Sequence, residues 1–425
     1  RRDGASVFGA DNKWGNFYAF GGAWRVTHEK FMEKVRFLND LKLKLSWGRN
    51  GNQGIDPYGT LSEAVIGPGG GIAYPFGNST VPSFGIKQNS LGNSGLGWET
   101  TNSWNFGFES AWLNNRLFVN MDVYLSRTTD QIFNRTIPSM TGFDSMKSTM
   151  GEVANRGVEF SIHSVNIENK DWRWDTNLTF WLNRNELVHL YGEDLDGDGR
   201  EDDDLGNNLF IGHSIHSIYG YKVAGIVQKD DTEYIQANGA TPGNPKYVDV
   251  DGNGTIGVED RTILGTSDPR FKMSLSNTLS WKNFELYFML TGTFGGNGYY
   301  VSENAPAFLA GGGGGGAYSN NMYIPYWTEE RPSNKYPAAN FSGDGRFKGL
   351  QSRAFVRLQD ITLSYTFNSA KIKNFGINNL RVFFTGKNLF TITGWENGDP
   401  ELGNTILSST YPISTNLSLG ANISF

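Results

Sequence analysis

Apolar and polar residues alternate along most of this chain of 425 residues. In the final segment, TNLSLGANISF, every second residue from Leu417 to Phe425 is apolar and the residues between them are small or polar. A period of two is typical of a β-strand with one face in an apolar medium. The pattern predicts about twelve strands. They cover residues 14–27, 41–47, 104–112, 117–125, 158–167, 172–182, 215–228, 271–281, 284–294, 355–367, 380–393 and 415–425.

The lengths of these segments and of their connections favour a membrane barrel. Many predicted strands have about 10 to 15 residues, whereas strands of globular sheets have a mode of about 5 to 6 and tilted membrane strands need about 9 to 11. Outer-membrane barrels have short turns at one end and long loops at the other. Here short polar turns lie at 113–116, 168–172 and 281–283, and long loops at 51–98, 132–154, 188–213, 229–268 and 295–351. We therefore predict one all-β domain, residues 1–425, within a transmembrane antiparallel β-barrel.

Assigning each turn and loop to one end of the predicted sheet reveals one inconsistency. If Phe425 and the turn at 281–283 share a rim, the loop before Phe271 lies on the opposite side. Counting from the turn at 168–172 places the loop at 188–213 on that side too, and two loops on one side cannot flank a single strand. Either another strand lies between residues 188 and 268, or the segment 215–228 is not a membrane strand.

Composition narrows the class of protein further. With 54 glycines, 14% aromatic and 19% charged residues, the chain suits strands and turns better than helices or disorder. The absence of cysteine excludes a disulfide framework and thiolate metal sites, and a net charge of −6 with interspersed signs argues against nucleic acid as a partner. A mean hydropathy of −0.43 is that of a soluble protein. A membrane barrel also has such an average, because its polar lumen face offsets its apolar face.

Tryptophan is frequent near the ends of the predicted strands. Interfacial aromatic girdles of membrane barrels occupy such positions, whereas generic packing in a strand is the alternative explanation. The residues concerned are Trp14, Trp47, Trp104, Trp112, Trp172, Trp174 and Trp281.

The segment 249–260, DVDGNGTIGVED, matches the pattern of a calcium-binding loop. Calcium prefers carboxylate and carbonyl oxygens, and a glycine at position 6 of such a loop allows its sharp turn. Position 12 is Asp instead of the usual bidentate Glu, and no paired helices flank the loop, so we expect a structural calcium site. An acidic turn without metal is the alternative. The predicted ligands are Asp249, Asp251, Asn253, Thr255 and Asp260.

A second acidic segment, DLDGDGREDDD at 194–204, is a weaker candidate of the same kind. Asp194, Asp196 and Asp198 have matching offsets, but the twelfth position is Leu205. A solvated acidic loop is the alternative explanation.

No pattern in the chain predicts catalysis. The glycine run at 311–316 lacks the lysine and the strand-to-helix context of a phosphate-binding loop. His213 and His216 have a spacing that serves a metal only on a helix, and no G-x-S-x-G nucleophile motif occurs. We therefore predict neither an enzyme nor an organic cofactor.

Segments along the whole chain, taken in order, resemble the C-terminal barrel portion of SusC-like TonB-dependent outer-membrane transporters of Bacteroidetes, the SusC/RagA family. The resemblance covers essentially the entire sequence. The segments are FGADNKWGNFYAFGGAWRVTHEKFM, LKLKLSWGRNGNQGIDPYG, NRGVEFSIHS, SIYGYKVAGIVQ, VDVDGNGTIGVEDRTILGTSDPRF, YWTEERPSNKYP, FVRLQDITLSYTF and LRVFFTGKNLFTITGWENGDPE.

This resemblance implies a 22-stranded barrel, to which the chain contributes about 12 to 14 strands. The plug domain and the segment that contacts TonB are expected upstream of Arg1, since the chain begins without an initiator Met or a signal peptide. The family takes its energy from TonB, ExbB and ExbD, and a SusD-like surface lipoprotein closes over the barrel as a lid. The terminal Phe425 resembles the signal by which outer-membrane barrels are recognised for assembly.

We expect active import of oligosaccharides across the outer membrane of a Gram-negative bacterium. The alternatives are peptide import by the same mechanism, a passive porin, and a secreted calcium-dependent carbohydrate-binding or hydrolytic β-protein. Aromatic loop residues at the mouth of the barrel are candidates for stacking on the substrate, although packing within the loops or against the lid is the alternative. These candidates are Tyr299, Tyr300, Tyr323 and Trp327, and the predicted polar lumen face includes Asn105, Glu109, Asn120, Asp122, Arg173, Asp175 and Asn177.

Overall fold

The computed structural model describes residues 1–9, 11–66, 73–74, 83–143, 145–299, 325–341, 349–367, 376–395, 399–401 and 413–425. Strands dominate these residues, and the one α-helix among them is α1 (Thr232–Asn238). No helix in the described part of the chain is long and apolar enough to cross a membrane.

The strands differ widely in length, from two residues to 24. In chain order they are β1 (Arg2–Gly4), β2 (Trp14–Asn16), β3 (Ala19–Arg25), β4 (Leu38–Asn52), β5 (Glu63–Ile66), β6 (Ala73–Tyr74), β7 (Ser83–Phe84), β8 (Ile86–Ser90), β9 (Glu99–Trp112), β10 (Leu117–Thr136), β11 (Ser145–Glu168), β12 (Trp172–His189), β13 (Ser217–Tyr221), β14 (Val223–Ile226), β15 (Pro245–Tyr247), β16 (Arg261–Thr266), β17 (Phe271–Trp281), β18 (Phe284–Phe294), β19 (Asn297–Tyr299), β20 (Leu350–Ser352), β21 (Phe355–Phe367), β22 (Asn379–Thr393) and β23 (Asn416–Ser424).

Eleven of these strands form one large sheet in the order β3-β4-β9-β10-β11-β12-β17-β18-β21-β22-β23. The order follows the chain, so each strand pairs with the next long strand in an up-and-down arrangement. The predicted short turns are confirmed, because β9–β10, β11–β12 and β17–β18 are joined at residues 113–116, 169–171 and 282–283. Leu113, Asn114, Asn115 and Lys282 adopt positive φ angles, which lets the chain reverse within so few residues.

The structure resolves the inconsistency in the count of sides. β12 is the neighbour of β17 in the sheet, so the residues between them form a single long connection. The prediction that 215–228 is a strand of the barrel was wrong. This segment forms β13, which pairs with β16, and β14, which pairs with β15, in separate two-stranded sheets.

The predicted loop at 132–154 was also mostly wrong. β10 continues to Thr136 and β11 begins at Ser145, so the connection covers only residues 137–144. Where these two strands extend beyond the apolar zone, both of their faces carry polar residues, and alternation no longer marks them as strands.

The chain divides into two compact units, and β10, β11 and β12 contribute residues to both. The first unit contains Arg1–Asn115, Val119–Phe160 and Asn183–Ile215. The second contains Arg116–Phe118, Ser161–Leu182 and His216–Phe425. The prediction of a single domain remains a prediction.

In the first unit, the N-terminal segment is anchored to the sheet by Phe17. This residue is 95% buried, and its ring lies edge-on to Trp98 with the ring centroids 5.3 Å apart. Two glycines leave the space that the ring occupies: a Cβ at Gly51 would lie 2.1 Å from the ring and one at Gly15 would lie 2.4 Å from it. Close approach between backbone and ring therefore requires glycine at both positions.

In the second unit, aromatic rings form a row across four strands of the sheet. Trp172 stacks on Trp281, Trp281 on Phe284, and Phe284 contacts Tyr365, with centroid separations of 5.8, 6.1 and 4.6 Å. The rings of Trp172, Trp281 and Phe284 are between 43% and 46% exposed and lie at strand ends. Half-exposed rings in a line at one end of a sheet are typical of an interfacial girdle.

A second group of rings lies toward the other end of the same strands. Phe271 stacks on Phe180 and on Phe294, with centroids 5.5 and 4.6 Å apart. Phe271 and Trp281 are ten residues apart on β17. At about 3.4 Å per residue and a strand tilt of about 40°, the two groups are separated by about 25 Å along the membrane normal, which is the height of the apolar band of a membrane barrel.

The long connections of the second unit have small cores of their own. Ile226, Trp327 and Ala338 form one cluster, and Tyr247 with Phe341 forms another. Both clusters join the segment after β12 to residues 325–341. These connections are thus folded structures with buried side chains.

We predict that Gly51→Ala lowers the thermal stability of the folded protein, because the new methyl group would collide with the Phe17 ring. Overpacking of this kind costs about 1–3 kcal/mol. The temperature at which the heat-modifiable folded band disappears on a gel measures the change. Gly22→Ala is the matched control, since nothing lies within 4 Å of a Cβ on that β3 residue. Equal transition temperatures for the two variants would contradict the proposed role of Phe17.

Candidate functional site

Alternation in the large sheet places charged side chains together on one face. In the first unit, Lys42 and Lys44 on β4 lie next to Glu109 on β9, with Nζ–carboxylate distances of 3.3 and 3.1 Å. Lys44 also pairs with Asp122 on β10 at 3.4 Å. These side chains are 29% to 42% exposed, so the ion pairs are partly solvated and each contributes little to stability. The predicted lumen residues Glu109 and Asp122 therefore lie on one polar surface.

The polar face of the second unit has the same character. Arg173 Nε lies 2.7 Å from Asp175, and its Nη1 lies 3.2 Å from Glu168. His163 Nδ1 and Asn177 Oδ1 are 2.8 Å apart. Alternate positions on β12 thus carry the predicted polar residues Arg173, Asp175 and Asn177 on one face, and the tryptophans between them point to the other.

The only arginine that is almost fully buried among the described residues is Arg357, which is 1% exposed on β21. Its guanidinium pairs with Asp399 at 2.6 Å and with Glu401, and its Nε donates to Thr391 Oγ1 at 2.9 Å. A buried cation needs such complete compensation, because an unpaired one would cost several kcal/mol. The pairing ties the segment after β22 to β21.

These polar surfaces consist mainly of mutually neutralised charges and neutral hydrogen-bonding groups. Lys272 is an exception in the part of the chain that the structure describes, since its ammonium lies over the ring of Trp181 at 5.6 Å from the centroid rather than against a carboxylate. Trp181 and Lys272 are paired residues of β12 and β17, so they share one face of the sheet. An aromatic ring and a cation on a hydrated wall can both contact a polar solute. The sequence prediction missed this pair because only the register brings it together.

The segment 249–260 brings three of the predicted calcium ligands close together, and calcium binding itself remains a prediction. Oxygen atoms of Asp249, Asp251 and Asp260 lie within 4.8 Å of one another. The Asp249 carboxylate accepts hydrogen bonds from the amides of Gly252 and Gly254, each at 2.7 Å. The Oδ1 of Asn253 accepts the amide of Thr255 at 2.8 Å, which turns these two residues toward each other within the loop. The arrangement offers three carboxylates to one cation.

Asp260 is the buried member of this group, with no exposed surface. Its carboxylate accepts hydrogen bonds from the amides of Gly257 at 2.7 Å and of Val250 at 2.6 Å. Both bonds favour the charged form and hold the pKa of Asp260 below its usual value. The loop is thus closed by a carboxylate that stays ionised.

The same loop is linked to the core of its surroundings. The Ile256 amide donates to Asn238 Oδ1 at 2.7 Å, and Asn238 is the last residue of α1. The Ile256 side chain packs against the cluster of Tyr247 and Phe341. A cation in the loop would therefore stabilise more than the loop itself.

The second acidic segment brings together a different trio from the one predicted. Carboxylate oxygens of Asp194, Asp196 and Asp202 lie within 4.8 Å of one another. Asp198 is outside this group, and its carboxylate accepts the amide of Arg200 at 2.8 Å. Asp202 follows Asp194 by eight residues and therefore stands at position 9 of the calcium-loop pattern, a position that often binds the ion through a water molecule.

The predicted aromatic contacts for substrate have different outcomes. Trp327 is 9% exposed and packs against Ile226 and Ala338, and its indole N–H donates to Gln228 at 2.9 Å. It is a core residue, so we do not retain it as a substrate contact. Tyr300, Tyr323 and the Tyr299 side chain lie outside the described residues.

The final residue, Phe425, follows β23 directly and is 82% exposed. The register of β23 with β22 aligns Leu417, Leu419 and Ile423 with Gly386, Phe384 and Leu380. The predicted apolar face of the last strand is thus continuous with that of its neighbour. The role of Phe425 in assembly remains a prediction.

Taken together, a long antiparallel sheet with one apolar face, rows of interfacial rings and one polar face defines an outer-membrane β-barrel protein. A family model described as "TonB dependent receptor-like, beta-barrel" matches residues 1–389. The chain therefore belongs to the TonB-dependent receptor family.

Two curated relatives and one solved structure illustrate this kinship. The chain is 32% identical to TonB-dependent receptor P26 of Formosa agariphila and 31% identical to TonB-dependent receptor SusC of Bacteroides thetaiotaomicron, in each case over 100% of its length. It covers 44% and 41% of those relatives, so it spans less than half of their length. It superposes on a chain of the RagAB peptide transporter with a TM-score of 0.77 and 26% identity, covering 100% of this chain and 45% of that one.

We predict that Asp260→Asn lowers the thermal transition of the calcium-free, full-length protein near neutral pH. Because the folded-state pKa of Asp260 is lowered, its stabilising contribution is present above the unfolded value of about 3.9 and is lost as the pH falls through the folded value. Transition temperatures of the wild type and the variant, measured from pH 7 to pH 3, should therefore converge in acid. Asp230→Asn, an exposed position in the same connection, should have little effect at any pH. A difference that stays constant down to pH 3 would contradict this account.

Proposed function

We propose that the protein to which this chain belongs imports large polar oligomers actively across the outer membrane. The superposition of the whole chain on a chain of the RagAB transporter, with a TM-score of 0.77, carries this proposal. The polar face supports it, since a wall of Ser, Thr, Asn and neutralised ion pairs can replace the hydration shell of a polar solute without holding it tightly.

The energy and the lid of this transporter would come from partners. We infer coupling to TonB, ExbB and ExbD through the part of the protein that precedes this chain, and a SusD-like lipoprotein over the outer mouth. The kinship with SusC and with RagAB supports both inferences. The folded connections of the second unit offer structured surfaces for such a lid.

Oligosaccharides are the substrate class that we propose first. Carbohydrates are neutral, rich in hydroxyl groups and able to lay an apolar ring face on an aromatic side chain. Trp181 with Lys272, and the neutral pair of Thr179 and Ser274 whose hydroxyls lie 3.0 Å apart, present such groups on the polar face. Because most charges on this face are paired, it has little preference for a charged polymer.

Peptide import is the second candidate. It is favoured by the RagAB structures, which are described as a peptide transporter and importer. A peptide also presents neutral amides and charges of both signs, and ion pairs on the polar face could exchange partners with them.

We predict that cells lose uptake of one substrate class when the gene of the full-length protein is deleted and regain it on complementation. Depletion of a defined oligosaccharide mixture and of a casein digest from the medium, followed by mass spectrometry, separates the two classes. Uptake should stop on addition of a protonophore, because import consumes the proton-motive force.

Trp181→Ala should slow uptake about two- to tenfold, because the loss of an aromatic contact costs about 0.5–1.5 kcal/mol. Trp181→Phe should preserve most of the uptake.

A passive porin would give other results in the same assays. Uptake would persist in the presence of the protonophore, and the purified full-length protein would conduct ions in a planar bilayer. Either result would reject active import. A protein that partitions into buffer without detergent would reject the membrane role altogether.

We propose in addition that the segment 249–260 binds calcium as a structural ion. The proximity of Asp249, Asp251 and Asp260 and the match of the segment to the calcium-loop pattern support this. Calcium would offset the repulsion among three carboxylates and hold Ile256 against the neighbouring cluster of Tyr247 and Phe341. The acidic trio in the second segment is the weaker candidate.

We predict that calorimetric titration of the calcium-stripped, full-length protein detects a binding event with a Kd of about 10⁻⁵ to 10⁻³ M. Asp251→Ala should abolish it, because the variant removes one of the three carboxylates. Asp196→Ala, the matched change in the second acidic segment, should leave it intact. If Asp251→Ala binds calcium with unchanged stoichiometry and affinity, the ion does not occupy this loop.

A further inference from the structure

A cavity of about 380 Å³ lies in the first unit, between the N-terminal segment and the sheet. It has the size of a small-molecule site. Aromatic residues and charged or amide groups both line it, and no sequence motif marks it. Its lining includes Trp14, Phe17, Tyr18, Arg49, Trp98 and Asp130.

The wall of this cavity is held rigidly. Phe17 is buried against Gly15 and Gly51, as described above, and Trp98 donates its indole N–H to the Lys13 carbonyl at 3.2 Å. The side-chain amide of Asn12 donates to the Gly95 carbonyl at 3.0 Å and so fastens the opposite end of the segment. The cavity is therefore preformed, which reduces the entropic cost of binding a ligand.

The side chain of Arg49 in this lining has no partner among the described residues. Its Nε atom is buried and makes no hydrogen bond, and the guanidinium forms no ion pair in the described part of the chain. Buried polar groups are almost always hydrogen-bonded, because an unsatisfied one costs about 1–3 kcal/mol. Its main-chain amide, in contrast, donates to the Tyr18 carbonyl at 2.9 Å. The unpaired donor indicates that a ligand with acceptor oxygens completes the site.

We propose that this cavity binds a saccharide unit of one or two rings. A sugar ring presents an apolar face that packs on an aromatic side chain, and Tyr18 and Trp14 are 56% and 60% exposed beside the cavity. Its hydroxyl groups both donate and accept, so they satisfy an arginine and a carboxylate at the same time. Arg49 supplies the donors, and Asp130 and Asp11 supply the acceptors.

The charges around the cavity distinguish this ligand from others of similar size. Two carboxylates, Asp11 and Asp130, accompany the single guanidinium of Arg49. A phosphate or sulfate alone would meet more negative than positive charge there, and a purely apolar ligand would leave Arg49 unsatisfied. A neutral molecule with many hydroxyl groups fits both signs.

The cavity is not on the polar face on which import is proposed. Arg49 follows Trp47 by two residues on β4, so both side chains belong to the face of the sheet opposite the polar one. Trp47 lies in an exposed ring cluster with Phe20 and Trp104, at centroid distances of 5.4 and 6.3 Å. A saccharide there has two possible sources, the headgroup of an outer-leaflet glycolipid or a free saccharide in the medium.

The test uses the purified full-length protein in detergent, with two arms. One arm measures lipopolysaccharide that co-purifies with the protein, in moles per mole, by mass spectrometry. The other arm titrates delipidated protein with glucose, galactose, N-acetylglucosamine, glucuronate and maltose, and follows saturation-transfer NMR signals. Arg49→Ala and Tyr18→Ala should each reduce binding at least about tenfold in the arm that detects it. Arg36→Ala, an exposed arginine outside the cavity, is the matched control and should bind as the wild type does.

Binding in the first arm alone assigns the site to a glycolipid, and binding in the second alone assigns it to a free saccharide. Both results support the proposal if the Arg49 variant loses the signal. Absence of binding in both arms, or equal binding by wild type and Arg49→Ala, overturns it. Arg49→Lys guards against misfolding, since it keeps the charge and should retain part of the binding with an unchanged gel shift on heating. None of these results depends on whether the protein imports its substrate.

Discussion

The pairing of every backbone amide and carbonyl is the constraint on which this structure depends. In hydrocarbon an unpaired backbone group costs several kcal/mol, so strands can cross the membrane only beside other strands. The large sheet satisfies this requirement by joining each strand to the next long strand of the chain. This pairing also determines the face on which each side chain lies, because successive residues of a strand point to opposite faces. One register produces an apolar face with rows of rings and a polar face with ion pairs.

Alternation predicted all eleven strands of the sheet in position, β10 and β11 only in part, because one apolar face is visible in a single sequence. It failed where its physical basis ends. The segment 145–154 of β11 was predicted as loop because a strand that extends beyond the apolar zone needs no apolar face. The segment 215–228 alternates as well, yet it pairs within small sheets of a long connection. A period of two indicates a half-buried strand, but it does not indicate to which sheet that strand belongs.

The candidate sites could be predicted from the sequence where they depend on neighbouring residues, and not where they depend on residues distant in the chain. The spacing of Asp249, Asp251 and Asp260 was sufficient to predict that their carboxylates lie close together, because all three belong to one segment of twelve residues. The burial of Trp327 depends on residues about 100 positions earlier, and the contact of Trp181 with Lys272 depends on register. The cavity beside Arg49 was invisible for this reason, since its walls come from segments that are distant in sequence.

The two groups of rings on the second unit also fix a property of the surrounding lipid. Their separation of about 25 Å is set by ten residues of β17 and cannot change without a change of register. A bilayer of greater thickness must thin locally around the protein, or the protein must tilt, at a cost of fractions of a kcal/mol per Å. The bacterial outer membrane is thinner than average. The ring spacing thus makes the thin outer membrane the bilayer in which this sheet sits without deforming its neighbours.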